Sequence, residues 1–203
     1  IDEKNNVIKP LTNWIFVAVC QYLQTLSVDN LVIGINLSMI DLHDKKLPKR
    51  IEGYLNHYQS KPSQIVIEIT EGQIMQKPDD VIEILSKLAL MGLSLSIDDF
   101  GTGQASLTYL KKLPVEKLKI DQSFVRDIEI DPDDQLIVKA TIDLAHTLGM
   151  TVIAEGVETA KGYELLRKMK CDYVQGYYIS RPIEANQIPG WYGDAVEKSA
   201  KVL

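Results

Sequence analysis

Leu93-Ser-Leu-Ser-Ile-Asp98-Asp99 is a short apolar stretch, typical of a β-strand, that ends in two adjacent aspartates. The same pattern, an apolar run closed by an acidic or amide residue, recurs in Leu31–Asn36, Ile65–Glu68 and Thr151–Glu155. The runs are separated by stretches long enough to hold a helix each. Buried strands that alternate with amphipathic helices are typical of a parallel α/β protein.

The same alternation continues over most of the chain. We expect strands near residues 31–37, 65–70, 93–98, 117–120, 151–155 and 173–179. We expect helices near residues 11–26, 44–58, 78–91, 103–112, 133–148 and 159–169, and a terminal helix with a polar tail over 184–203. The predicted strands lack strict polar alternation, which indicates a parallel sheet with both faces covered.

Two architectures accommodate these strand and helix units. An open doubly wound sheet normally has a glycine-rich phosphate turn after its first strand, but Asn36 is followed by Leu-Ser-Met-Ile. We therefore favour a TIM-like (β/α)8 barrel, in which chemistry lies at the carboxyl ends of the strands. A closed barrel needs eight strands, so we expect the first two to precede Ile1, where the chain begins without a methionine.

Composition bounds the class of protein. The 203 residues, 45% hydrophobic and 25% charged, are typical of one globular domain. The net charge of −6 argues against binding a nucleic acid polymer, although a small anionic ligand stays open if metal ions mediate the contact. We interpret Cys20 and Cys171 as reduced thiols of a cytoplasmic domain, and a membrane anchor elsewhere in a longer protein also stays open.

The residues that close the apolar runs are candidate metal ligands. They are Asn36, Glu68, Asp98, Asp99 and Glu155. Oxygen donors that converge on one face suit Mg²⁺ or Mn²⁺, and two adjacent buried aspartates call for a cationic partner. The alternative for each residue alone is that it only caps the helix that follows.

A basic strand lies between the last two acidic strand ends. In Lys117-Leu-Lys119-Ile-Asp121, alternation places the two lysines and Asp121 on one face. Taken alone, Lys119 is best interpreted as a solvated strand-end lysine. Next to an acidic site, it would instead neutralise a phosphate or hold an attacking water.

Three further residues and one glycine-rich loop complete the candidate site. Gly101 and Gly103 give freedom to the loop after Asp99, which is not a nucleotide P-loop because no Gly-Lys-Ser/Thr follows. We expect Glu158 to cap the next helix, Gln175 to be a polar strand residue and Arg181 to contact phosphate.

Together these motifs resemble the EAL-domain family, bacterial phosphodiesterases that cut the second messenger cyclic di-GMP. The resemblance runs from about residue 10 to residue 183, followed by the C-terminal helix and tail. It is carried by Ile35-Asn36-Leu-Ser38, Ile67-Glu68-Ile-Thr-Glu71, Ile97-Asp98-Asp99-Phe-Gly-Thr-Gly103, Lys119-Ile-Asp121, Ala154-Glu155-Gly-Val-Glu158-Thr159 and Gln175-Gly-Tyr-Tyr-Ile-Ser-Arg-Pro182.

The resemblance implies a modified TIM barrel and metal-dependent hydrolysis of cyclic di-GMP to linear pGpG. Two Mg²⁺ or Mn²⁺ ions would be held by the five strand-end residues and Asp121, with Asp98 shared between the ions. Lys119 would assist the attacking water and contact the phosphate. Glu158 and Gln175 would lie just outside the metal ligands and help to position them. Glu71 would fasten the loop after Asp98 and Asp99, which in the family couples dimerisation to metal binding.

Two departures from the family pattern are visible. The Glu-Ala-Leu motif, with its metal-binding glutamate and the substrate-binding arginine after it, is not in this chain and would lie before Ile1. Gln104 follows Gly103 where family members commonly carry an aromatic residue. Two alternatives to an enzyme therefore stay open: a receptor that binds cyclic di-GMP without cutting it, and a scaffold that acts through a dimer surface. We also expect a homodimer, and a sensor or GGDEF domain before this segment.

Overall fold

A computed structural model describes residues 7–26, 31–103 and 107–193. Its six strands form one sheet in the order in which they occur along the chain, and every neighbouring pair is parallel. The strands are β1 (Ile33–Asn36), β2 (Ile65–Thr70), β3 (Ser94–Phe100), β4 (Lys117–Ile120), β5 (Thr151–Ala154) and β6 (Tyr173–Val174).

This strand order distinguishes the two predicted architectures. A doubly wound sheet reverses its strand order at a switch point, whereas this order does not reverse. The sheet curls into a half-barrel with helices, so the prediction of an α/β TIM-like fold is confirmed.

Helices connect the strands. They are α1 (Ile8–Thr25), α2 (Met39–Leu42), α3 (Leu47–Tyr58), α4 (Glu71–Ile74), α5 (Pro78–Leu90), α6 (Leu107–Leu110), α7 (Gln122–Val125), α8 (Pro132–Thr147) and α9 (Ala160–Lys168). Short 3₁₀ helices span Pro62–Gln64 and Ala185–Gln187, and residues 188–193 are helical. The four-residue helices α2, α4 and α7 were not predicted, because one turn is too short to show a helical period.

The two faces of the sheet differ in chemistry. Ile67 and Ile69 of β2 and Leu118 and Ile120 of β4 are buried in the main apolar cluster, which also contains the apolar residues of α5 and α8. Because side chains alternate along a strand, Glu68 and Lys119 project from the opposite face. The apolar face holds the helices in place, and the other face carries the candidate site.

The last predicted strand is too long. It was expected over 173–179, but β6 ends at Val174, so Gln175 is a loop residue. A Cβ on Gly176 would lie 2.2 Å from the carbonyl oxygen of Val157, so only glycine allows the two backbones to approach this closely. The chain leaves the sheet here and continues beside the loop after β5, where Tyr178 N donates to Val157 O.

Other predicted boundaries also need correction. The helix expected from residue 44 begins at Leu47, because the carboxylate of Asp44 accepts from Lys46 N and holds the preceding turn. The helix expected over 103–112 is α6, and residues 104–106 lie outside the described part. Glu158 does not cap α9: Thr159, the residue next to the helix, accepts from Gly162 N.

The two cysteines and the character of the helices also bear on the class of protein. Cys20 is buried and Cys171 is half-buried, and both are free thiols as predicted. None of the helices in the described ranges combines the length and the apolar character that a membrane span requires.

Candidate active site

A buried lysine lies at the centre of the strand ends. Lys119 of β4 is 5% exposed. Its Nζ lies 2.7 Å from Glu155 Oε1, 2.9 Å from Asp98 Oδ1 and 3.2 Å from Glu68 Oε2. An ammonium group is rarely buried unless it is paired, and three carboxylates from three other strand ends pair it here. The interpretation of Lys119 as a solvated lysine is therefore wrong.

The charges of this cluster do not balance. Burial alone would lower the pKa of Lys119, but hydrogen bonds to Glu155 and Asp98 outweigh it and raise that pKa, so the amine stays charged. Burial, together with the charges of Asp98 and Asp121, raises the pKa of Asp99. Burial also raises the pKa of Glu155 despite its bond to Lys119. One ammonium group thus leaves a surplus of negative charge.

Asp98 and Asp99 reach the same site because β3 is irregular there. Adjacent residues of a regular strand point to opposite faces. The pairing of β3 with β4 shifts between Ile97 and Phe100, and Asp99 has a left-handed φ of +53°. Such irregularities re-aim side chains. As a result, carboxylate oxygens of Asp98, Asp99 and Glu155 lie within 4.8 Å of one another.

Asn36 joins the cluster through Glu68. The two residues are partners in the parallel pairing of β1 and β2. Asn36 Nδ2 donates to Glu68 Oε2 over 3.4 Å, and the same oxygen accepts from Lys119. The five predicted strand-end residues therefore form one connected group at one edge of the sheet.

Asp121 lies beside this group and also caps a helix. Its carboxylate accepts from Ser123 N over 2.8 Å at the start of α7. Burial would raise the pKa of Asp121, but hydrogen bonds from Ser123 and from the Asp99 side chain outweigh it and lower that pKa. Asp121 thus caps α7, which was not predicted from the sequence, and also lies beside the site.

Glu71 holds the loop that follows the two aspartates. It is 4% exposed, and its Oε2 accepts from Gly101 N over 3.0 Å and from Gly103 N over 3.2 Å. A Cβ on Gly103 would lie 2.9 Å from the Glu71 carboxyl carbon, so glycine is needed for this approach. The first turn of α4 therefore restrains the loop directly after Asp99.

Three predicted residues lie outside the group. Gln175 lines an open cavity of about 560 Å³. The guanidinium of Arg181 stacks 4.6 Å from the ring centre of Tyr177, and Glu158 is exposed. Over the ranges 7–26, 31–103 and 107–193, none of the three joins the ion pairs around Lys119. Their roles stay predictions.

The structure also reveals a residue that the sequence reasoning missed. Gln73 Oε1 accepts from Thr70 N over 3.0 Å, and Gln73 Nε2 donates to Leu37 O over 3.0 Å. The spacing Thr70-x-x-Gln73 is that of a capping box, so the first of these bonds had a sequence signal. The second bond reaches Leu37 at the end of β1, 36 residues away in the sequence, and no sequence pattern predicts it.

The oxygen atoms at this site are suitable ligands for a hard divalent cation. They are carboxylate and amide oxygens, three carboxylates converge, and negative charge exceeds what Lys119 supplies. Mg²⁺ and Mn²⁺ prefer such oxygen ligands. The acidic cluster therefore has the chemistry of a metal site.

The fold and this cluster define an α/β half-barrel protein with an acidic site at the carboxyl ends of its strands. The family profile described as "EAL domain" matches residues 1–182. The chain belongs to the EAL-domain family.

Curated relatives share most of this chain but are much longer. Signaling protein YkoW of Bacillus subtilis is 38% identical over 189 residues, which are 92% of this chain and 24% of that protein. Cyclic di-GMP phosphodiesterase NbdA of Pseudomonas aeruginosa is 37% identical over 184 residues, 89% of this chain and 24% of that protein. The chain thus spans about a quarter of the length of these relatives.

Solved structures share the fold. The structure described as the PaMucR phosphodiesterase in complex with c-di-GMP has a TM-score of 0.88 at 35% identity and covers 92% of this chain and 76% of that one. The EAL domain of Mycobacterium smegmatis DcpA has a TM-score of 0.84 at 33% identity and covers 91% and 84%.

Proposed function

We propose that this chain is a phosphodiesterase domain that hydrolyses cyclic di-GMP to linear pGpG with Mg²⁺ or Mn²⁺. The observation that carries the proposal is the convergence of Asp98, Asp99 and Glu155 around Lys119. Relatives named as cyclic di-GMP phosphodiesterases support the choice of substrate. A retained cluster of this kind favours an enzyme over a receptor or a scaffold, since neither alternative needs every one of these groups.

The metal ligands would be those that the sequence predicts: Asn36, Glu68, Asp98, Asp99, Asp121 and Glu155. Bound divalent ions would lower the pKa of a water molecule and neutralise phosphate oxygens. Asp98 would be one of these ligands, since its carboxylate lies together with those of Asp99 and Glu155, and the family resemblance implies that it is the ligand the two ions would share. The surplus negative charge of the cluster is what two such ions would neutralise.

The reaction cuts one of the two phosphodiester linkages of the substrate. The oxygen of water bonds to phosphorus, the bond from phosphorus to the 3′ oxygen breaks, and that oxygen receives a proton. Lys119 would donate to a phosphate oxygen that gains negative charge in the transition state. To make this contact the ammonium group would give up one of its three carboxylate partners, and the other two would keep it in place beside the site. Gln175 and Arg181 would contact the substrate farther out.

Three finer features belong to the same proposal. The natural protein would work in the cytoplasm, where a bacterial second messenger is made and destroyed. It would act as a homodimer, with the loop held by Glu71 linking the dimer to the metal site. A sensor or GGDEF domain would accompany this segment; one longer relative is named as a bifunctional diguanylate cyclase and cyclic di-GMP phosphodiesterase.

Removal of divalent metal should abolish turnover. The natural protein is incubated with cyclic di-GMP in Mg²⁺, in Mn²⁺ and in EDTA, and pGpG is followed by chromatography. We expect pGpG with either ion, none in EDTA, and recovery when Mn²⁺ is added back, because the donors suit hard cations. Binding of cyclic di-GMP without turnover would favour the receptor. If the protein does not bind the nucleotide even with metal, the scaffold is favoured.

A further inference from the structure

The carboxyl end of β1 is joined to β2 by backbone pairing and leads directly into the cap of α2. In the ranges that the structure describes, β1 has four residues and pairs with β2 through a register that ends at Asn36 and Glu68. One further backbone bond, from Leu37 N to Glu68 O, closes this pairing. The chain then turns into α2, where Ser38 N and Ser38 Oγ donate to the Asp41 carboxylate and help to fix the direction in which the chain leaves β1.

Gln73 supplies a contact of this kind. Its amide nitrogen donates to Leu37 O over 3.0 Å, one residue after Asn36. Its amide oxygen accepts from Thr70 N over 3.0 Å, two residues after Glu68. One half-buried side chain thus bridges the ends of β1 and β2 directly beyond the two predicted ligands.

Helix α4, which carries Gln73, is held in place by apolar packing and by hydrogen bonds. Ile74, the next residue, is 1% exposed and packs in the main apolar cluster. Glu71, two residues earlier on the same helix, holds Gly101 N and Gly103 N. A single helical turn therefore connects the end of β1, the end of β2 and the loop after β3.

We propose that Gln73 is a positioning residue that orients Asn36 toward the metal site by fixing the end of β1 against the end of β2. This inference rests on the proposed function, because it takes Asn36 and Glu68 as metal ligands. Groups that orient metal ligands from outside the coordination sphere typically change metal affinity by about 10- to 100-fold when removed. Gln73 touches neither substrate nor metal in this role.

Two substitutions separate the halves of the bridge. Gln73→Glu keeps an oxygen that accepts from Thr70 N but removes the donor to Leu37 O. Gln73→Met has similar length and removes both bonds. Gln76→Met is the matched control, because Gln76 is exposed one turn farther along the chain. Mn²⁺ affinity of the natural protein is measured by calorimetry, and stability by thermal unfolding in EDTA.

We expect Gln73→Glu and Gln73→Met to weaken Mn²⁺ binding alike, by about tenfold, and Gln76→Met to leave it unchanged. Gln73→Glu should unfold at a higher temperature than Gln73→Met, since it keeps the helix cap. If Gln73 had a purely structural role, Mn²⁺ affinity would follow thermal stability, and Gln73→Met would bind Mn²⁺ more weakly than Gln73→Glu. That result would overturn the inference. Normal Mn²⁺ affinity in both Gln73 variants would overturn it as well and leave the proposed function intact. An unmodified protein that binds no Mn²⁺ would overturn both.

Discussion

Replacing Lys119 with methionine should stop hydrolysis and, at the same time, tighten the binding of Mn²⁺. We expect kcat to fall on the order of a hundred- to a thousandfold, since a preorganised charge at the reacting phosphate is lost. The gain in Mn²⁺ affinity follows from the contacts that the lysine amine makes with three carboxylates. The lysine amine occupies oxygens of Glu68, Asp98 and Glu155 that the metal would use, and it repels a divalent ion.

Lys119→Met should also lose stability, but only without metal. Removing one partner of a buried ion pair typically costs about 3 kcal/mol, which lowers the melting temperature of a chain of this size by roughly 5 to 10 °C. Mn²⁺ should restore the loss, because it compensates the carboxylates in place of the amine. Of the four states, Lys119→Met without metal should therefore have the lowest melting temperature. Adding Mn²⁺ should raise the melting temperature of Lys119→Met by more than it raises that of the unmodified protein.

The measurements are turnover, Mn²⁺ affinity by calorimetry, and thermal unfolding in EDTA and in Mn²⁺. Lys49→Met, which removes an exposed lysine of α3, is the matched control and should change none of them. Weaker Mn²⁺ binding in Lys119→Met, with the fold intact by circular dichroism, would contradict the competition between the amine and the metal. Retained turnover would remove Lys119 from the catalytic site.

Asp98→Asn should weaken the binding of Mn²⁺, whereas Lys119→Met should tighten it. It deletes one carboxylate from the group formed with Asp99 and Glu155 but keeps the shape of the side chain. We expect Mn²⁺ affinity to fall by more than about a hundredfold, since even groups outside the coordination sphere cost about 10- to 100-fold. Turnover should fall with it. Stability in EDTA should change little, because Lys119 retains Glu68 and Glu155 as partners.

Asp98→Asn is followed by the same three measurements, with the exposed Asp127→Asn as its control. If Asp98→Asn binds Mn²⁺ as tightly as the unmodified protein, the metal must lie elsewhere. A variant that loses turnover but keeps its Mn²⁺ affinity would instead give Asp98 a role in the chemistry alone.

The positions of the site residues were visible in the sequence because they follow a simple rule. Parallel strands end at one edge of a sheet, so Asn36, Glu68, Asp98 and Glu155 had to lie near one another once four similar apolar runs were recognised. The alternation of strands and helices indicated a parallel sheet, and the lack of a glycine-rich turn after Asn36 favoured the strand order of a barrel over that of a doubly wound sheet.

Other features depend on contacts that no local pattern reveals. The shift in β3 and the left-handed Asp99 decide that two adjacent aspartates share one site, although strand alternation would separate them. Lys119 looked like a surface residue because a lysine is buried only when distant residues pair it. The early end of β6 depends on how closely Gly176 approaches Val157, which the apolar run 173–179 does not show.

The most direct test of the account is the position of Mn²⁺ in crystals of the natural protein, located by anomalous scattering. We predict a peak that is coordinated by carboxylate oxygens of Asp98, Asp99 and Glu155, with the amine of Lys119 moved away from at least one of its three partners. A peak elsewhere, or no peak at this cluster in protein that turns over cyclic di-GMP with Mn²⁺, would contradict it.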